Sequence, residues 1–554
     1  MTTADPEFAA VAEAVRRQDR PLAINLAARA LKRGHSHPLI LVLTAEGLES
    51  RGQFAQALDL LRAATRAAPR HRVAWMRLAA LLARDGKFVE AAAAFDRVLA
   101  LDPDHFAALM GAGEMRLHLR DGDGAERHYR RAAEVSPQSA APLAVLAVLV
   151  AQKRDAVQAR DLARRAEALS PGIVGAELAL ARADLLDGSP VLAEARLTLL
   201  LGRTDVDDET RAGVLDVRAE ANDAMGRAEE AFADYEARNA IQLRIHAPRF
   251  GGEAAKRLPE VARRLTAWLG RGADEAWRTR AGEDLIGRKV ARRHVFLLGF
   301  PRSGTTLLEK VLAGHPQAVT LEEVNHVAAA GLELRDEGGW SRLEALSAAE
   351  ADACRRTYWR LVRDSLGAAF PDKILVDKLP LHTLDLPLIS KLFPDARILF
   401  ALRDPRDVVL SCYRRRFQVN AAMFEFLTLS GAVDFYDAVM SLATVARAIL
   451  PLEVHEVRHE AVIADFDREV GAILAFIGAE WDPAVRDFAG RVGGHMKTPS
   501  YAQLARGLNA DGVGQWRRYE RQMAPILERL EAWVARFGYP PNGKGAEVRP
   551  HSPG

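Results

Sequence analysis

The sequence predicts a multidomain protein: an all-α solenoid of helical hairpins, followed by a P-loop-like α/β domain with a central parallel sheet. Three observations carry this reading. Proline and small residues recur every 34 positions through the first 245 residues. A short apolar run at 294–298 passes through the loop 299–304 (GFPRSG) into a helix that opens at Thr305. Two further apolar runs, 374–376 and 397–402, each end in charged residues, as parallel strands do where their C-terminal ends carry a site.

The recurrence is specific. Proline stands at Pro69, Pro103, Pro137 and Pro171, and alanine at Ala23, Ala57, Ala91, Ala125, Ala159 and Ala193. A second small position runs Ala45, Ala79, Gly113, Ala147 and Ala181. Two antiparallel helices approach closely only where side chains are small, and proline stops the second helix before the next unit begins. Gly52, Gly86 and Gly188 sit at the turns within hairpins. A four-residue slip near 203–209 shifts the phase, after which Ala219, Gly226 and Ala231 resume it. This is the tetratricopeptide (TPR) period, and it predicts about seven hairpins over 6–245 with degenerate end units. A solenoid of this kind presents a concave surface suited to holding a protein or peptide partner.

Residues 246–293 break the pattern at HAPRFGG and then offer one amphipathic helix, 258–269. A linker that is short and partly helical predicts docked rather than loosely tethered domains.

The loop 299–304 is where chemistry enters. Strand, glycine-bounded turn and helix N-terminus aim unpaired backbone N–H groups at one spot, which makes an anion site. The spacing Gly299-x-x-x-x-Gly304 is that of a P-loop, but Thr305 and Thr306 stand where a nucleotide triphosphatase carries Lys and Ser/Thr. A kinase needs that lysine and Mg²⁺ to manage the β- and γ-phosphates. Arg302 with two hydroxyls suits an anion of lower charge. A P-loop kinase stays as an alternative that the absent lysine disfavours.

Composition bounds the rest. The chain has 554 residues, 49% hydrophobic and 27% charged, which suits more than one globular domain. A net charge of +2, without a basic tail or stripe, gives no footprint for nucleic acid. Two cysteines exclude a disulfide framework and a cysteine-based zinc site. No basic-then-apolar leader and no apolar run of about 18 residues occurs, so a cytoplasmic location without a membrane span is expected.

The run RSGTTL at 302–307 resembles the 5′-phosphosulfate loop of sulfotransferases, and the tyrosylprotein sulfotransferases with their bacterial relatives resemble it most. The resemblance implies 3′-phosphoadenosine 5′-phosphosulfate (PAPS) as donor, 3′,5′-ADP as product and no metal. By the same resemblance Glu323 takes the place of the general base, and Lys378 that of the lysine facing the departing oxygen. Both suit such roles, since an attacking hydroxyl must lose its proton and a fixed ammonium stabilises developing charge. Arg403 and Ser411 match the 3′-phosphate site, with Arg415 one turn on; arginine's planar fork bonds two phosphate oxygens at once. Ser500 matches a serine that contacts the donor. The expected site is therefore Arg302, Glu323 and Lys378 for catalysis. For the donor it is Arg302, Ser303, Gly304, Thr305, Thr306, Arg403, Ser411, Arg415 and Ser500. The sulfotransferase pattern covers 294–539, and 540–554 reads as a disordered tail. Three departures stand out: Asn325 where relatives carry arginine, His459 for a tyrosine, and Gln515 for a basic residue. They leave the acceptor open and keep a second reading, a catalytically degenerate nucleotide-binding TPR scaffold.

Overall fold

The computed structural model describes residues 6–541 except 254–255, 272–276, 278–281, 285–286, 336, 368–371, 489–507 and 509. Ser500, and the tail from residue 542 on, lie outside the described residues. The chain divides into two compact units, Met1–Leu200 and Leu201–Gly554.

The first unit is a run of antiparallel helices from Pro6–Arg16 to Pro190–Leu201. The small positions explain the stacking. Ala23, Ala57, Ala91, Ala125, Ala159 and Ala193 are fully buried, as are Ala45, Ala79, Ala147 and Ala181. Gly113 takes the same register, and a Cβ there would lie 2.8 Å from the Tyr129 ring. Second helices end at Ala67, Leu101, Val135 and Leu169, each two residues before a repeat proline. The turn inside each hairpin needs a left-handed residue, and the positions fall 34 apart: Gln18, Gly52, Gly86, Arg120, Arg154 and Gly188, with φ from 57° to 75°. Three of these carry side chains in a conformation that favours glycine. Histidines recur at the same interval as N-caps: His37, His71 and His105 each accept a backbone N–H through Nδ1.

The second unit opens with another hairpin, Asp208–Ala224 and Ala228–Phe250, followed by the helix Leu258–Leu269. Its centre is a five-stranded, wholly parallel sheet: β1 (Arg293–Gly299), β2 (Ala318–Glu322), β3 (Ile374–Lys378), β4 (Arg397–Leu402) and β5 (Glu453–Arg458). The order across the sheet is β2-β3-β1-β4-β5. Alternation divides the strands between two cores. Phe296, Leu298, Leu375, Ile398 and Phe400 pack with Tyr358, Trp359, Phe393 and Phe435. Val295, Leu297, Ile374, Val376 and Leu399 pack on the opposite face with Leu307, Val311, Ile473 and Leu474. β2 is not anticipated by the sequence reading. It is a five-residue edge strand with Thr320 inside it, too short and too polar to stand out, yet it delivers Glu322 and Glu323. Among the described residues no helix is long and apolar enough to cross a membrane.

Candidate functional site

β1 ends at Gly299, whose Cβ would lie 2.7 Å from the Ala401 carbonyl; only glycine lets β1 and β4 approach that closely there. The loop then turns through Arg302 (φ 74°) and Gly304 (φ 95°) into the helix Thr305–Ala313. Gly304 is the N-cap residue and offers no side-chain acceptor to the first helical amides. Those amides remain for an anion. Ser303, Thr305 and Thr306 are buried around the same turn. The loop is pinned from two sides: Thr383 Oγ1 donates to the Gly299 carbonyl at 2.9 Å, and Cys412 Sγ to that of Pro301 at 3.4 Å.

The arginines converge on this loop. Arg302 Nε donates to Ser411 Oγ at 2.9 Å, across 109 positions of sequence. Arg403, at the end of β4, donates through Nη1 to the Arg302 carbonyl at 3.1 Å and through Nη2 to Gly512 O. Arg403 Nε is buried and has no hydrogen-bond partner among the described residues. Desolvation, then Arg415 and Arg403, pushes Arg302 down to about 9. Desolvation, then Arg403 and Arg302, likewise pushes His459 down to about 3, so its imidazole is neutral. Arg415 follows the helix Pro405–Arg414, with its guanidinium 4.0 Å from Glu220. Guanidinium groups gathered beside uncapped amides repel one another, and a polyanion relieves that repulsion.

A second charged group lies at the C-terminal ends of β2 and β3, where Glu322 pairs with Lys378 in register. Lys378 is fully buried; its Nζ lies 2.9 Å from Glu323 Oε1 and 3.8 Å from Glu322 Oε1. Glu323 adopts a left-handed φ of 51° and donates its backbone N–H to the Lys378 carbonyl at 2.8 Å. On the loop helix, Lys310 bridges Glu309 at 3.2 Å and Glu322 at 3.3 Å. Thr320 Oγ1 donates to Glu309 Oε1 at 2.8 Å, and burial raises the Glu309 carboxyl above its usual range. Glu309 and Lys310 are absent from the sequence reading. Their signal was available only as a Glu-Lys pair on an otherwise apolar helix.

Behind Lys378 runs a buried polar chain that sequence reasoning also missed. His294 Nε2 meets Tyr358 Oη at 2.8 Å, and Tyr358 donates to Asp377 Oδ2 at 2.8 Å. His382 sits 3.5 Å from Asp377 Oδ1 and 3.1 Å from Asp385 Oδ2, and Arg335 holds Asp385 at 2.7 Å. Burial alone would lower the His382 imidazolium, but the two carboxylates outweigh it and hold it up at about 9.

The departures have local occupations. Asn325 Oδ1 accepts from Ala328 N at 3.1 Å and caps the helix His326–Ala330. The His459 ring lies over Gly304, where a Cβ would come within 2.7 Å of Nδ1. Gln515 Oε1 accepts from Arg414 Nη1 at 3.1 Å. Among the described residues no group of three His, Cys, Asp or Glu side chains could hold a metal ion.

Residues 294–483 match the model of the sulfotransferase family, and 42–106 and 86–140 match that of the tetratricopeptide repeat. An uncharacterized protein of Aquifex aeolicus is 27% identical over 45% of this chain and 34% of its own length. Protein-tyrosine sulfotransferase 1 of Danio rerio is 26% identical over 45% of this chain and 72% of its own. The human protein of that name is 25% identical over 47% and 75%. The chain thus spans about a third of the Aquifex relative and about three quarters of the two vertebrate ones.

Proposed function

We propose that this chain, whose residues 294–483 match the sulfotransferase family model, moves a sulfuryl group from PAPS to an acceptor hydroxyl. The observation that carries the choice of donor is the meeting of Arg302, Ser411 and Arg403 beside the loop amides, with Arg403 Nε buried and without a hydrogen-bond partner among the described residues. A plain P-loop needs one phosphate site. Here a second cationic end stands beside the first, which fits a nucleotide with phosphate on both the 3′ and 5′ sides of its ribose.

PAPS supplies an electrophilic sulfuryl group and departs as 3′,5′-ADP. The 5′ end falls to the backbone amides of 303–306, the Thr305 and Thr306 hydroxyls and Arg302. The 3′-phosphate falls to Arg403, Ser411 and Arg415. Glu323, whose side chain is about one-third exposed while Lys378 is fully buried, accepts the proton of the incoming hydroxyl. The Lys378 ammonium stabilises the charge that gathers on the leaving side. The repeat hairpins fit a role in holding a polypeptide or other large acceptor.

Two measurements test this. Calorimetry with 3′,5′-ADP is expected to give saturable heat that Arg403→Ala abolishes. Glu323→Ala and Lys378→Ala are each expected to lower sulfuryl transfer about 10²-fold with PAPS still bound. Near-wild-type turnover in both variants removes the assignment. Labelled PAPS incubated with cell extract identifies the acceptor.

A further inference from the structure

The helix Pro405–Arg414 brings Ser411 to Arg302 and, like any helix, ends in carbonyls without helical partners. Two of them are satisfied from far away in sequence. Arg238 donates through Nη2 to the Tyr413 carbonyl at 2.8 Å and through Nη1 to that of Arg414 at 2.9 Å. Asn239 Nδ2 adds a bond to the Tyr413 carbonyl at 3.1 Å. Arg238 is 1% exposed, and Asp216 answers its charge at 2.5 Å.

A second tie lies alongside. The Asp223 carboxylate accepts from Arg414 Nη2, from Arg518 Nη2 at 2.8 Å and from Tyr519 Oη at 2.7 Å. The ring of Phe232 stacks on Tyr413 with centroids 5.4 Å apart. On one side of these contacts, Asp216, Asp223, Phe232, Arg238 and Asn239 all belong to the hairpin Asp208–Ala224 and Ala228–Phe250. A terminal repeat normally caps its array with a polar, solvated face. This hairpin instead buries a paired arginine against the helix that follows β4.

The geometry points to Arg238 and Asp223 as positioning residues for the 3′-phosphate end of the donor site. They touch no donor atom. They fix the last turn of the helix that carries Ser411, and the residue beyond it, Arg415, and so set both relative to Arg302 and Arg403. A repeat hairpin is thereby a structural wall of the nucleotide site. The inference rests on the PAPS reading, and its test separates the two.

Calorimetry on the full-length chain compares 3′,5′-ADP with 5′-AMP, which lacks the 3′-phosphate. Wild type is expected to prefer 3′,5′-ADP; equal affinities would sink the donor reading itself. Arg238→Met and Asp223→Asn are each expected to weaken 3′,5′-ADP about tenfold, since small displacements of positioning groups cost that much or more. Binding of 5′-AMP should stay within about twofold, because the loop amides are untouched. Arg238→Lys can bond only part of the carbonyl pair and should fall between. Removing a buried charge partner can unfold a protein, so if circular dichroism shows that for Arg238→Met, Asp223→Asn carries the test. A folded Asp223→Asn that keeps the full preference for 3′,5′-ADP overturns the inference.

Discussion

Lys378 and Glu323 are joined twice: the Glu323 backbone N–H donates to the Lys378 carbonyl at 2.8 Å, and the Lys378 ammonium bonds the Glu323 carboxylate at 2.9 Å. The proposed base and the proposed electrophilic stabiliser therefore neutralise each other. The backbone bond holds them side by side, while the side-chain pair is free to part.

That pairing makes the donor compete with Glu323 for one ammonium. Glu323→Gln removes the competing charge, so PAPS should bind about three- to tenfold more tightly, the scale of one screened charge contact. Affinity for 3′,5′-ADP, which lacks the sulfuryl group, should change little, and turnover should fall. Calorimetry with a slowly transferred donor reads the split; weaker PAPS binding in the variant contradicts it.

The His382 imidazolium, held between Asp377 and Asp385, gives a pH dependence of known sign. Its folded-state value, about 9, lies above the 6.5 of a free histidine. The stabilisation is therefore complete below about pH 6.5 and drains away as pH rises through about 9. Thermal melts of wild type between pH 6.5 and 10 should lose several degrees more than those of His382→Gln. Parallel curves would show that His382 is neutral in the fold.

The turns between paired helices make a prediction free of any functional reading. Arg154 holds φ 66° at a position where Gly52, Gly86 and Gly188 hold 74° to 75°. Arg154→Gly should stabilise the repeats by about 0.5 to 1 kcal/mol, and Gly52→Ala should cost about 1 kcal/mol. Urea midpoints measure both, and a loss of stability in Arg154→Gly counts against the strain argument.

Gly304 combines a φ of 95° with a ring 2.7 Å from where its Cβ would sit. Gly304→Ala must therefore move either the loop or His459. Donor binding should weaken by about 10²-fold, as displaced loop amides lose their common target. His459→Ala in the same chain should recover only part of it, because the left-handed backbone stays strained. Full recovery would place the whole effect in the ring contact.

Much of this was legible in sequence where the pattern is local. A 34-residue recurrence of Ala, Gly and Pro records which surfaces must lie close and which turns must be left-handed, and those are properties of neighbouring residues. The strand, loop and helix around Gly299–Gly304 read out for the same reason, as did β3 and β4. Arg403 and Ser411 were named from resemblance, and the fold brings them to Arg302. Ser500 falls outside the described residues and stays an expectation.

What the sequence by itself determined, then, was the kind of elements present and the loop that gathers anions, because period, glycine and hydroxyl placement act over a few residues. Tertiary structure alone decided that β2 pairs with β3 and so sets Glu323 against Lys378. It decided, too, that His294, Tyr358, Asp377, His382, Asp385 and Arg335 join into one buried chain, and that Arg238 closes a helix 175 positions away. Each of those depends on which strand or helix lies beside which. Buried polar groups must find partners wherever packing puts them, and no local pattern records that choice.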